Sequence, residues 1–318
     1  MQSPQNCGLS IGITVNGLSY FYNYGETERD SKKVCSANTI YEIGSITKTF
    51  CGVLFAKAVV EGKLKENDEL SKFLPGKYPE LNLNGKAVLL KHLVNHTSGL
   101  PGIPDNLRNQ PNFDSLNPYK NYTKEMLYSY LKTVKLESEP GIEFSYSNTG
   151  MALLGLVLED VYGKSFEELV KEKICIPNGM TATTIQLSDE QQKLFAQGHN
   201  SEGSATSHWD LGIFKSAGAL RSSSSDMLRF LDYNLKEEDK AAVLSHKPTF
   251  NGRSTIGLAW FIKKTKSSNT LIWHNGGTEG FRSFAGFIKE KKCSVVVLSN
   301  SAMDVDFIAI AVLDYLQK

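Results

Sequence analysis

Residues 42–50 read "EIGSITKTF", which sets Ser45 and Lys48 three residues apart behind a glycine. Beyond the serine, Ile46, Phe50, Val53, Leu54 and Ala58 recur at helical spacing as far as Gly62. That spacing predicts a helix opening at Ser45, with Lys48 on the same face one turn along. Such a serine is either an ordinary N-cap or a nucleophile beside its base. A helix start favours developing negative charge, and a desolvated lysine loses its proton more easily, so both residues suit the second role. The pair alone decides little, because Ser129-x-x-Lys132 repeats it. Ser129 falls inside the helical pattern "TKEMLYSYLKTV", where a hydroxyl bonds back to a carbonyl one turn earlier.

Working outward, "LSIGITVNGLSYFYNYG" reads as two strands joined at Asn16-Gly17. From about residue 255, "TIGLAWFIK", "TLIWH", "FRSFAGFIKE" and "CSVVVLSN" are short β-rich runs, and the apolar helix "VDFIAIAVLDYL" closes the chain. The middle reads as mostly helical, with capping boxes at Ser165–Glu168 and Ser188–Gln191 and apolar helices in "TGMALLGLVLEDVYG" and "SSDMLRFLDYNL". Strands at both ends with helices between predict one α/β unit over 1–318. Its mainly antiparallel sheet comes from about 1–62 and 250–318, and its helical part from about 63–249.

Hydrophobic residues are 41% and charged residues 22%, a globular composition, and a net charge of +1 gives no footprint for nucleic acid. No run approaches the roughly 20 apolar residues of a membrane span. Five scattered cysteines show neither metal-ligand spacing nor a disulfide framework, and Cys51 and Cys293 read as small buried residues. No cofactor or metal is expected. The opening "MQSPQNCGLS" lacks the charged and apolar regions of a signal peptide, which fits either a cytosolic chain or a trimmed exported one.

Two more groups can join Ser45. "PGIEFSYSNTG" puts Tyr146-Ser147-Asn148 before an apolar helix. A phenol beside an ammonium favours its phenolate and can relay protons, and an amide can hold both a lysine and a substrate. Tyr119-x-Asn121 repeats this pattern in a loop and reads as a turn. In "WHNGGTEGFRSF", His274 ends a strand and Gly276-Gly277 let a substrate approach the backbone, whose N–H with that of Ser45 could form an oxyanion hole.

Ser-x-x-Lys, Tyr-Ser-Asn and His-Asn-Gly-Gly in this order resemble the penicillin-recognising serine hydrolases: class C β-lactamases, D-alanyl-D-alanine carboxypeptidases, D-aminopeptidases and related esterases. "LLKHLVNHTSGLPG", "SAGALRSSSSDMLRF" and "IGLAWFI" resemble family segments at the expected places. The resemblance implies a β-lactamase/transpeptidase-like fold. It implies Ser45 as acylated nucleophile, Lys48 as its activator and Tyr146 as general acid/base. Asn148, His274, Gly276 and Gly277 would bind substrate, a β-lactam, D-amino-acid peptide or ester, and export to a bacterial envelope is implied too. His274 stands where β-lactamases have lysine, and at an ordinary pKa near 6.5 it would be partly charged at neutrality. The family's usual N-terminal helix is not evident before the first strand, which fits a trimmed start or an early divergence. A carboxylesterase and a non-catalytic sensor remain open, although Ser45, Lys48 and Tyr146 are all present. His96-Thr97-Ser98-Gly99, a family landmark, reads as a structural turn. His92 reads as a core or surface histidine rather than a ligand, Trp209 and Trp260 as core or site edge, and Ser222–Ser225 as an N-cap region.

Overall fold

The computed structural model describes residues 8–318; the first seven residues of the stretch examined for a leader lie outside them. In chain order the strands are β1 (Gly8–Val15), β2 (Leu18–Gly25), β3 (Ile40–Glu42), β4 (Asn82–Leu83), β5 (Lys86–Ala87), β6 (Arg221–Ser223), β7 (Phe250–Asn251), β8 (Thr255–Ile256), β9 (Phe261–Lys264), β10 (Thr270–Gly277), β11 (Arg282–Ile288) and β12 (Cys293–Ser299). Eight of them form one antiparallel sheet in the order β2-β1-β12-β11-β10-β9-β8-β7. The ends of the chain meet inside it, because β1 pairs with β12 in the register Ile11↔Val297. The β1–β2 hairpin turns at Asn16 (φ 50°) and Gly17 (φ 82°), as the Asn-Gly pair predicts.

The helices are α1 (Thr47–Val60), α2 (Leu90–Val94), α3 (Lys124–Leu131), α4 (Asn148–Tyr162), α5 (Phe166–Val170), α6 (Asp189–Gln192), α7 (Lys215–Gly218), α8 (Ser224–Lys236), α9 (Lys240–Ser245) and α10 (Asp306–Leu316). α1 is buried from Thr47 to Ala56, because apart from Lys48 its residues there are apolar or small all round, the composition of a central helix. Phe50 stacks on Phe230 of α8 at 3.8 Å, tying α1 to the helix that covers the inner sheet face. α10 packs on the outer face over Val295, Val297 and Phe284. β12 is therefore buried on both sides and reads as an unbroken apolar run rather than an alternation.

Several local expectations hold. Ser165 and Ser188 make the two capping boxes, Ser147 caps α4, Ser223 caps α8, and Cys51 and Cys293 are buried. "TIGLAWFIK" differs, since it is two strands rather than one. Between β8 and β9 the chain turns away from its neighbours, Ala259 takes φ 65°, and the amides of Leu258 and Ala259 bond to Ser245 and Val94. The segment 63–249 is less helical than its pattern predicts. It contains long irregular stretches and the β4–β5 hairpin, while β6 within it pairs back to β3.

Candidate active site

Ser45 is not the helix cap. It lies in a tight turn, Gly44–Ile46, ahead of α1, and the N-cap position belongs to Ile46 without a side-chain bond. Its hydroxyl is instead engaged by Lys48 Nζ at 2.9 Å. Gly44, at φ 49°, permits the turn, and a Cβ there would stand 2.7 Å from the Gly277 nitrogen. Across from it a Cβ on Gly276 would meet Ile43 O at 2.1 Å and Ser45 N at 2.9 Å. Only bare backbone lets the end of β10 lie this close to the serine turn. Ser283 on β11 adds a bond of its hydroxyl to Ile43 O at 2.8 Å.

Lys48 is wholly buried. Besides Ser45, Nζ donates to the Ala217 carbonyl of α7 at 2.5 Å and stands 4.8 Å from the centre of the Tyr146 ring. Burial pulls its pKa from 10.5 down to about 7, against a small opposing effect from Cys51. A share of this amine is therefore unprotonated at neutrality, and a neutral amine can accept the hydroxyl proton of Ser45.

Tyr146 precedes the N-cap of α4 and hydrogen-bonds through its hydroxyl with the Ser45 side chain. Burial pushes its phenol up, with the Ser45 bond opposing. The sequence reading of a phenolate beside a lysine is thus corrected: burial outweighs the Ser45 hydrogen bond, and the resting group is a phenol. Asn148, the first residue of α4, bonds through its side chain with the Tyr119 hydroxyl. Tyr119-x-Asn121 does lie in a turn, as read, but Tyr119 also serves the site. Tyr119 lines the same cleft as Ser45 and Asn148, whereas Asn121 bonds elsewhere, to Gln110 and Asn112.

His274 sits 6.3 Å, centre to centre, from the Tyr146 ring and only 1% exposed. Nδ1–H donates to the Asn275 carbonyl at 2.5 Å, which leaves Nε2 as the unprotonated nitrogen. Burial, then the Lys48 charge, lower its pKa to about 3, against the pull of the Asn275 carbonyl. The expectation of a histidine partly charged at neutrality is wrong, because water cannot reach the ring to solvate an imidazolium.

All seven residues predicted from sequence, Ser45, Lys48, Tyr146, Asn148, His274, Gly276 and Gly277, converge on one place. The cleft is narrow, about 40 Å³, with Tyr119, Trp209 and Phe214 on its walls. It adjoins a groove of about 480 Å³ through the shared residues Trp209, Gly277 and Thr278. That groove carries Arg282, whose Nη1 donates to Thr278 O and Phe281 O and which has no carboxylate partner among the described residues. A larger hollow of about 710 Å³, around Lys57, Arg229 and Asp239, contains none of the motif residues. Trp260, the other candidate for the site edge, is core. Ser129 is exposed on α3; of Ser222–Ser225, Ser223 caps α8 and Ser224–Ser225 open it, while Ser222 lies in β6. Ala217 O and Arg282 escape sequence reasoning: one is backbone, and the other, though inside "WHNGGTEGFRSF", has no motif position that marks it.

Three comparisons bear on this arrangement. A β-lactamase family model matches residues 1–316. The chain is 26% identical to a β-lactamase of Pseudomonas fluorescens, over 94% of this chain and 90% of that protein. It superposes on the octameric penicillin-binding protein homologue from Pyrococcus abyssi with a TM-score of 0.84 at 28% identity, covering 98% of this chain and 74% of that one. A β-lactamase/D-alanine carboxypeptidase from Pseudomonas syringae gives 0.82 at 25% identity, with 98% and 94% covered. Fold, motif order and family model agree, and this chain is a serine hydrolase belonging to the β-lactamase family.

Proposed function

We propose that the enzyme hydrolyses β-lactam or D-amino-acid amide bonds through an acyl-enzyme on Ser45. The observation that carries this is the placement of Lys48 Nζ, buried beside Ser45 Oγ at 2.9 Å with a pKa drawn down to about 7. Neutral Lys48 takes the Ser45 proton as Oγ attacks the acyl carbon. The oxygen charge is received by the N–H groups of Ser45 and Gly277, in the manner of an oxyanion hole. Tyr146, a phenol at rest, gives its proton to the leaving nitrogen and is restored by the Lys48 ammonium. Water then attacks the ester, delivering a proton to the same relay, and Ser45 Oγ recovers one as the acid departs. Asn148, steadied by Tyr119, holds the substrate amide. His274, neutral, shapes the wall, and Arg282 offers a substrate carboxylate the counter-charge that His274 does not. By family resemblance this work is done in the cell envelope, which fractionation of the producing cell would test.

One observation favours a second reading, a carboxylesterase on the same scaffold: a neutral His274 places no fixed cation at the third motif. Turnover of nitrocefin, a D-Ala-D-Ala peptide and a p-nitrophenyl ester, measured side by side, separates the readings. The proposal expects kcat/KM on a lactam or peptide to match or exceed that on the ester. Ester turnover alone would select the second reading, and stoichiometric acylation without turnover would mark a sensor.

A further inference from the structure

His96 opens the stretch His96-Thr97-Ser98-Gly99 and adopts φ 61°, a left-handed conformation uncommon outside glycine, although histidine enters it more often than most side chains. A glycine or asparagine would make the same turn more cheaply. The residue is also 1% exposed, and its Nε2 has no hydrogen-bond partner. A turn alone does not explain the burial of an imidazole with an unpartnered nitrogen.

What the conformation achieves is local to Tyr146. The His96 carbonyl accepts the N–H of Ser145 at 2.8 Å, and its Nδ1 accepts the N–H of Ser147 at 3.2 Å. One residue therefore anchors the amides on both sides of the tyrosine. The imidazole also lies against the Tyr146 ring, 4.4 Å between centres at 36°, and meets Phe144 edge-on at 5.9 Å. Because Nδ1 accepts, it must keep its lone pair, and the neutral ring carries its proton on Nε2. Burial, then the Lys48 charge, hold its pKa well below the ordinary value and so preserve that lone pair.

We propose that His96 is a positioning residue that aims the Tyr146 hydroxyl at Ser45, by gripping the flanking peptides and bracing the ring. This rests on Tyr146 acting as the proton relay, so the test must separate the two ideas. A double-mutant cycle does so, with His96→Gly, His96→Asn, Tyr146→Phe and the two combinations. Glycine accepts φ 61° but removes the acceptor and the ring; asparagine tolerates the conformation and restores an acceptor oxygen. Each kcat is referred to the folded fraction measured by urea unfolding.

His96→Gly is expected to lower kcat by about 10–100-fold with KM little changed, the scale of a misplacement near 1 Å. His96→Asn should recover most of that loss. In the Tyr146→Phe background the His96→Gly effect should shrink to about twofold or less, since residues acting as one unit are not additive. A His96→Gly loss that stays undiminished without the phenol, or asparagine no better than glycine, would overturn the proposal. Tyr146→Phe at wild-type kcat would sink the relay itself instead. Should His96→Gly fail to fold, the cycle runs on His96→Asn. Its missing ring should then cost a few-fold in kcat beside Tyr146 and nothing beside Phe, and equal losses in both backgrounds would contradict the assignment.

Discussion

Replacing Lys48 with methionine should abolish turnover and make the protein more stable. The lysine is wholly buried, and its pKa falls from 10.5 to about 7 on folding. The unfolded chain therefore binds this proton more tightly than the folded one, so burial opposes folding. The penalty is fully present below the folded pKa and fades as pH rises toward 10.5. At roughly 1.36 kcal/mol per pKa unit it is about 5 kcal/mol at pH 5, about 4 at pH 7 and about 2 at pH 9. Methionine has a similar length and no charge, but it deserts the Ala217 carbonyl, which costs about 1–3 kcal/mol. The net gain is then about 1–3 kcal/mol at pH 7 and close to zero at pH 9. Near 2 °C per kcal/mol for a chain of this size, melting should show it. Urea unfolding of wild type and Lys48→Met at pH 6, 7.5 and 9 measures the trend. A variant less stable than wild type at pH 6, or an advantage that grows with pH, would refute the reasoning. A catalytic group held at a cost in stability is a common trade in enzymes.

Two further outcomes follow from the same geometry. The kcat/KM of wild type should rise with pH through about 7 as Lys48 loses its proton, while His274, titrating near 3, leaves the ratio of anionic to neutral substrates flat from pH 5 to 8; pH–rate profiles on one substrate of each kind check both. Gly276→Ala would drive a methyl to 2.1 Å from Ile43 O and 2.9 Å from Ser45 N, so kcat should drop by about 10²-fold or more, and an active variant would show that the serine turn does not need the bare strand.

Much of this was legible because the signals are local. Asn16-Gly17, the capping serines and the helical spacing after Ser45 each report a backbone preference that the fold keeps. The site was legible through ordered motifs, since catalytic side chains must come from fixed points beside helix starts and strand ends. Electrostatics was not. The lowered pKa of His274 and the protonated state of Tyr146 depend on burial by the whole fold, which no short stretch records. Tyr119 was hidden because Tyr-x-Asn occurs twice, and only tertiary structure brings its hydroxyl to Asn148. "TIGLAWFIK" misled because β-rich composition does not show the amides of Leu258 and Ala259 turning to other partners.

The central claim is that Ser45, with Lys48 beside it, carries the acyl group. Intact-mass analysis and peptide mapping after exposure to a fluorophosphonate or a slow β-lactam test it most directly. The account predicts a single adduct on the peptide containing Ser45, absent from Ser45→Ala and much slower to form in Lys48→Met. An adduct that persists in Ser45→Ala, or maps to exposed Ser129, would contradict it.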